Sequence, residues 1–459
     1  MGVTQTGPRW RRAVGMVTDE KRKDVQWGLG RVAFSLLPLS PESVGRRKTL
    51  LTEVVPGRVW TLDQLQGIIN VNVPVRATVI KLKEGGLFVH NPIAPTGEAV
   101  TFMRTLEEKH GRVKYIVLAS TALEHKGTAG AFANKFPQSK VYVQPGQYSF
   151  PVDLPSALFF PPGKRIEVIP KDFRDAPWGD EIEHDILPPI KPPGPGTFSE
   201  TAFFHKATKT LLVTDTIVKV TDEPPAIIQE DPRALLYHAR DDRTVEVQDT
   251  PEMRRSGWRR MVLFGLTFFP ASIDVSSVGE VVRTLDTVPD SMATLGEGAL
   301  PFSPKIYAWR WARDERPNFK ALQRGLLVPP ILQELILNRE PESVLAWADR
   351  VSKWPFTRIV PCHLSNDIRA GPAEFRRAFA FLEPLSPAHA RTATAVSAAS
   401  MEIPNPLARL LTTKRSVTSG PSWSTPSMAT PEDSRLLRTA SDILTRLRIV
   451  YPAAKPVLS

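Results

Sequence analysis

Val113-Lys-Tyr-Ile-Val-Leu-Ala-Ser-Thr-Ala-Leu-Glu-His125 is the stretch that decides the fold. Its first six residues form an apolar run broken by one lysine, as in a strand covered on both faces of a parallel sheet. Small and polar residues follow, and the stretch ends on a carboxylate beside an imidazole. A helix is expected next, around Thr128–Lys135, and then a strand at Lys140–Val143. Upstream, Val75–Lys83 reads as a strand, Glu84-Gly85-Gly86 as a turn and Leu87–His90 as the returning strand. Val100, Phe102, Met103 and Leu106 give 98–110 a helical spacing, and Gly111 supplies its stop. Strands alternate with helices, so the fold class is α/β.

The alternation resumes downstream. Phe203–His205 and Thr210–Asp215 read as a hairpin that turns at Ala207–Lys209. Residues 222–330 form a long insertion of mixed pattern. Helices are expected at Phe319–Leu337, interrupted by Pro329 and Pro330, and at Pro341–Ser352. A short strand at Phe356–Val360 runs into Pro361-Cys362-His363, and a helix covers Ala373–Leu382. The folded domain is therefore placed at 61–384. Residues 1–60 are read as a basic extension with a short ordered part at Trp27–Leu39. Residues 385–430, rich in Ala, Ser, Thr and Pro, are read as a flexible linker. Thr430-Pro431-Glu432-Asp433 opens a C-terminal helix within 431–459, with threonine as cap, proline first and acids in the first turn. Leu436, Leu437, Ile443, Leu444 and Leu447 give it an apolar face expected to dock on the core.

Composition removes several classes of function. At 42% hydrophobic residues, the 459-residue chain buries a sizeable core. Its single cysteine, Cys362, excludes an internal disulfide and a cysteine-only zinc cage, which fits a reducing compartment. The net charge of +11 is not spread over the domain. Residues 1–60 hold 11 basic and 5 acidic residues, 385–459 hold 9 and 4, and 61–384 hold 39 of each. A nucleic-acid domain concentrates charge on its folded face, so no nucleic-acid partner is expected. No apolar run reaches the roughly 20 residues that span a bilayer. The run Met261–Pro270 follows Arg254, Arg255, Trp258, Arg259 and Arg260, so 254–270 offers a peripheral membrane contact. A buried helix with a solvated start is the favoured reading of that segment. Residues 1–18 carry Arg9, Arg11 and Arg12 and no acid, as transit peptides do, but few serines. Met1-Gly2 with Thr6 fits a myristoylation pattern loose enough to arise by chance.

Three segments follow the carboxyl ends of expected strands: Ser120–His125, Thr214-Asp215-Thr216 and Pro361-Cys362-His363. Ligands of α/β sheets gather at such ends. Carboxylate and imidazole donors from separate segments suit one divalent cation: zinc, iron or manganese. Each residue also has a plain structural use. Glu124-His125 would sit at the start of the next helix, Asp215 would end the hairpin and His363 would hydrogen-bond near its strand. His205 is read as structural and Cys362 as a buried, inert thiol.

The order of these segments resembles the metallo-β-lactamase superfamily, whose first motif is His-x-His-x-Asp-His. Aligned on this chain, that motif reads Ser120, Ala122, Glu124, His125. The resemblance implies an αββα core in which Asp215 matches the aspartate that bridges two metals and His363 the last histidine. The middle histidine, expected near 196–198, is missing, because none occurs between His184 and His205. One metal's ligands are thus lost, while Glu124, His125, Asp215 and His363 remain for the other. Trp60–Gly67, Val73-Pro-Val-Arg76, Val143–Phe150 and Ile359–His363 further resemble an uncharacterised family of cyanobacteria, algae and plant chloroplasts. That likeness covers Trp27–Leu382 and the terminal helix and implies a chloroplast location.

Two functions are expected to compete. In the first, a plastid protein keeps the fold and at most one metal but has little or no catalysis. In the second, a mononuclear metal-dependent hydrolase acts on an ester or thioester, with Glu124 or Asp215 as base. A redox role for Cys362 lacks both a second thiol and a glycine-rich dinucleotide fingerprint.

Overall fold

Along the strands of the domain, side chains alternate between two apolar layers, and that alternation builds the sandwich. In the computed structural model, residues 48–68, 71–147, 160, 164–190, 197–267, 270–284, 287, 307–386, 430–446 and 454 are described. The first sheet runs in chain order: β1 (Leu50–Val55), β2 (Val59–Ile68), β3 (Val71–Lys81), β4 (Leu87–His90), β5 (Val113–Leu118), β6 (Lys140–Val143) and β7 (Ile166–Val168). Pairing is antiparallel from β1 to β4 and parallel from β4 to β7. The change comes where α1 (Gly97–His110) and α2 (Leu123–Lys135) form the crossovers, which parallel neighbours need.

The second sheet has the order β13-β10-β9-β8, from β8 (Ile182–Ile186), β9 (Thr201–His205), β10 (Thr210–Val213) and β13 (Arg358–Pro361). Only β10 and β13 pair in parallel. Phe88, Val117, Tyr142, Trp178, Phe203, Leu212 and Val360 fill the space between the sheets. Their strand neighbours face outward, as the two-residue period requires. Val89, Ile116 and Val141 meet Phe102, Met103 and Phe132 of α1 and α2. Phe204, Leu211 and Ile359 meet Trp347 and Phe379 on the other side, Trp347 belonging to the helix Pro341–Val351. Helix, sheet, sheet and helix form the four layers.

Several boundaries differ from the sequence reading. The first sheet begins inside the segment read as an extension. Leu50–Val55 pairs with β2 because apolar Leu50, Leu51, Val54 and Val55 have a strand to complete. Trp27–Leu39 lies outside the described residues, as do 387–429 of the expected linker. The helix α2 starts five residues earlier than expected, so Glu124 and His125 lie in its first turn. Its cap position, Ala122, makes no side-chain cap.

The described residues of the insertion 222–330 form a packed layer. The helix Arg233–Ala239 lies so close to the helix Pro251–Thr267 that a Cβ on Gly257 would fall 1.8 Å from the Leu235 carbonyl oxygen. A two-stranded ribbon, β11 (Ile273–Val275) with β12 (Trp309–Trp311), completes it. Pro251–Thr267 contains most of the 254–270 segment, as the buried helix that was its favoured reading. Trp258, Met261, Val262 and Leu263 are buried, and Trp258 Nε1 donates to Thr221 O at 2.8 Å. Arg254, Arg255, Arg259 and Arg260 pair with Asp249, Glu223, Glu315 and Asp241. The apolar face of this helix belongs to the core. Among the described residues no helix is long and apolar enough to cross a membrane.

The terminal helix, Pro431–Arg446, docks on this layer. Buried Asp433 accepts from Ala271 N at 2.6 Å and Asn318 Nδ2 at 2.7 Å, and Leu437 is buried. Thr430 Oγ1 accepts from Asp433 N, the cap expected of it. The side chains of Leu436, Ile443, Leu444 and Leu447 lie outside the described residues.

Candidate metal centre

The carboxyl ends of β5, β10 and β13 converge on one point. His125, Asp215 and His363 meet there although 238 residues separate the two histidines. His125 Nε2 lies 3.2 Å from Asp215 Oδ1 and 3.2 Å from His363 Nε2, and His363 Nε2 lies 2.9 Å from the same Oδ1. With the Glu124 carboxylate, four donor atoms fall within 4.8 Å of one another. His125 and Asp215 are buried, and His363 and Glu124 are half-buried. All four residues singled out in the sequence are therefore brought together.

The hydrogen bond behind His363 fixes its chemistry. Nδ1 lies 2.8 Å from the Pro74 carbonyl oxygen, which only accepts, so Nδ1 carries a proton. In the neutral ring Nε2 then presents a lone pair to Asp215 Oδ1 and His125 Nε2. Either a proton or a cation must occupy the space between them. Ligands about 2.1 Å from one ion lie about 3.0 Å apart at a right angle and about 3.4 Å apart at the tetrahedral angle. The spacings of 2.9–3.2 Å fit one such ion. Metal-ligating histidines commonly anchor their other nitrogen on a carbonyl in this way.

Charge follows the same geometry. Burial alone would raise the Asp215 carboxyl, but His125 and His363 outweigh it and hold it well below the usual range. Burial works against the charged His363 ring too, and the Asp215 contact overrides it and raises its pKa. His90, fully buried behind the site, is pulled down to about 3 by burial and by the charge of His125.

Sequence reasoning missed the residues that hold the donors. Glu200, fully buried, accepts the backbone N–H groups of Thr214, Asp215 and Thr216 at 2.7, 2.8 and 3.0 Å and the Thr216 hydroxyl at 2.9 Å. Burial and the Asp215 charge push its pKa up to about 7, against the pull of these donors. Asn91 follows β4 with φ of 48°, a conformation asparagine tolerates. Its Nδ2 donates to Thr214 Oγ1 at 2.8 Å and to Cys362 Sγ at 3.2 Å, and its Oδ1 accepts from Ala119 N at 2.8 Å. A carboxylate and an amide next to apolar strands were the available signals. Cys362 is buried and its thiol is pushed up by burial, as an inert thiol is. His205 Nδ1 contacts Thr208 Oγ1 at 2.8 Å, away from the site.

The residues matching the lost ligands are also placed. Ser120 Oγ donates to Asp215 Oδ2 at 2.9 Å, and Ala122 supplies no donor. Near the expected middle histidine, Thr197 O accepts from Thr121 Oγ1 and Phe198 is core.

The αββα sandwich, with histidine and carboxylate donors gathered at its strand ends, is the metallo-β-lactamase-like fold expected from the sequence. The chain belongs to the family described as domain of unknown function (DUF4336), whose model matches residues 56–381. Among solved structures it is similar to a metal-soaked Flv1 flavodiiron core from Synechocystis sp. PCC6803, at 12% identity and a TM-score of 0.38. The match covers 74% of this chain and 62% of that one, so the chain spans less than two thirds of that protein. A variant flavo di-iron protein from Thermotoga maritima is matched at 10% identity and a TM-score of 0.38, over 74% of this chain and 63% of that one. A metallo-beta-lactamase from Pontibacter korlensis is matched at 15% identity and a TM-score of 0.29, over 41% and 83%. No curated protein matches the chain.

Proposed function

We propose that the protein holds one divalent cation (zinc, iron or manganese) between Glu124, His125, Asp215 and His363, and has little or no hydrolytic activity. The observation that carries this is the meeting of His125 Nε2, Asp215 Oδ1 and His363 Nε2 within 3.2 Å, with the His363 Nδ1 proton committed to Pro74. Two imidazoles and two carboxylates would give one ion four protein ligands and no open position, as in structural rather than catalytic centres. The second oxygen of Asp215 is taken by Ser120, so it is not free to bridge to another ion. Residence in a plastid, implied by the resemblance, belongs to the same reading. A fluorescent fusion that stays outside chloroplasts would contradict it.

One observation favours the alternative. Glu124 is half-buried and lies in the first turn of α2, on a flexible side chain that can swing away. Three remaining donors would leave an open position, and a bound cation there lowers the pKa of water and polarises an ester or thioester carbonyl. Glu124 would then stand beside that position as a base. The two readings separate when the zinc-loaded full chain is assayed on an aryl ester and an acyl thioester. Rates equal to those of the metal-free chain are expected. Zinc-dependent turnover that disappears in Glu124→Gln would establish the hydrolase instead.

A further inference from the structure

The Val73-Pro-Val-Arg76 segment has no role in the donor set, yet it grips the turn that carries His363. Arg76 is almost fully buried, in the middle of apolar β3. Its Nε pairs with Asp63 Oδ1 at 2.7 Å, its register partner on β2. Its Nη1 donates to Pro361 O at 2.5 Å and to Ser365 O at 3.3 Å, and its Nη2 donates to Leu364 O at 3.0 Å. One guanidinium therefore holds three carbonyls of a five-residue turn, with His363 at its centre. Two residues earlier on the same strand, the Pro74 carbonyl takes the His363 Nδ1 proton.

That turn needs holding. Leu364 has φ of 53°, in the left-handed region that a branched side chain disfavours. Carbonyls turned inward by this conformation require donors, and a guanidinium offers several in a fixed planar fork. Lysine has the charge without the fork. Asp63 fixes the plane, because its contact to Nε leaves both Nη groups directed at the turn.

We infer that Arg76, anchored by Asp63, is the positioning residue of the candidate centre. It sets the main chain of the 361–365 turn, and Pro74 sets the tautomer of the imidazole that the turn presents. This rests on the single-metal reading for its purpose, but the geometry it asserts exists without the ion.

The test uses the full chain with selectively 15N-labelled histidine, its His363 signals assigned by a His363→Asn variant. In metal-free wild type, above the imidazole titration range, His363 is expected as the Nδ1–H tautomer. Arg76→Lys is expected to mix the tautomers and to weaken zinc binding, measured against a competing chelator, by about 10–100-fold, as outer-shell changes do. A merely structural role would lower the melting temperature and leave both the tautomer and the zinc affinity unchanged, and that result would overturn the inference. If wild type takes no zinc, the single-metal reading fails, while the tautomer comparison still decides the role of Arg76. If Arg76→Lys does not fold, Asp63→Asn releases the guanidinium from its anchor and is read by the same signals.

Discussion

Ser120 Oγ donates to Asp215 Oδ2 across 2.9 Å, while the other oxygen of that carboxylate, Oδ1, faces both histidines. One carboxylate is thus divided between a hydroxyl and the candidate centre. The oxygen turned away from the histidines is held by a protein hydrogen bond.

Ser120→Ala should therefore cost stability without creating a second site. Removing a buried donor from a charged acceptor costs about 1.5–3 kcal/mol, readable from urea unfolding of the metal-free chain. The zinc-loaded variant should still hold one equivalent, because positions 120 and 122 supply no imidazole. Two equivalents would show that the hydroxyl alone keeps a second ion out.

How much of this was legible depends on the kind of signal. Ile116–Leu118 and Thr210–Val213 are buried on both faces, and buried strands announce themselves as apolar runs. Glu124, His125, Asp215 and His363 were visible because donors just past strand ends are a local pattern. Glu200 and Arg76 were not, since the amides that Glu200 accepts lie 14–16 residues away and the carbonyls that Arg76 holds 285–289, and only the folded sheets bring them together. The membrane-contact alternative at 254–270 arose for a similar reason. Its arginines resemble a membrane-facing lead until Glu223, Asp241 and Glu315 are placed beside them. The start of α2 was set too late because Ala122 offers no capping side chain to read.

Gly257→Ala tests the packing of the insertion. The added Cβ would lie 1.8 Å from the Leu235 carbonyl oxygen, a backbone atom that cannot swing aside. Overpacking of this kind costs about 1–3 kcal/mol or more, so the variant should melt well below wild type. An unchanged melting temperature would mean that the two helices do not pack this closely.

Acid should destabilise the fold through buried neutral histidines. Burial and the Arg58 charge pull His205 from its ordinary 6.5 down to about 4. Between these values the unfolded chain binds the proton and the folded chain does not, so stability falls as pH drops from 6.5 to 4. Glu200, raised from 4.5 to about 7, acts with the opposite sign over an overlapping window, so the wild-type curve alone is not diagnostic. The comparison with His205→Gln is. The variant should lose less stability than wild type across 6.5 to 4, and identical slopes would remove His205 from the account.

Metal content is the most direct measurement of the central claim. Wild type and the His125→Ala/His363→Ala double variant would be purified as full chains, reconstituted with zinc, iron or manganese, and analysed by plasma mass spectrometry. About one equivalent in wild type, absent from a folded double variant, is the predicted result. A folded wild type that retains no metal, or a double variant that retains as much, would contradict the single-metal centre.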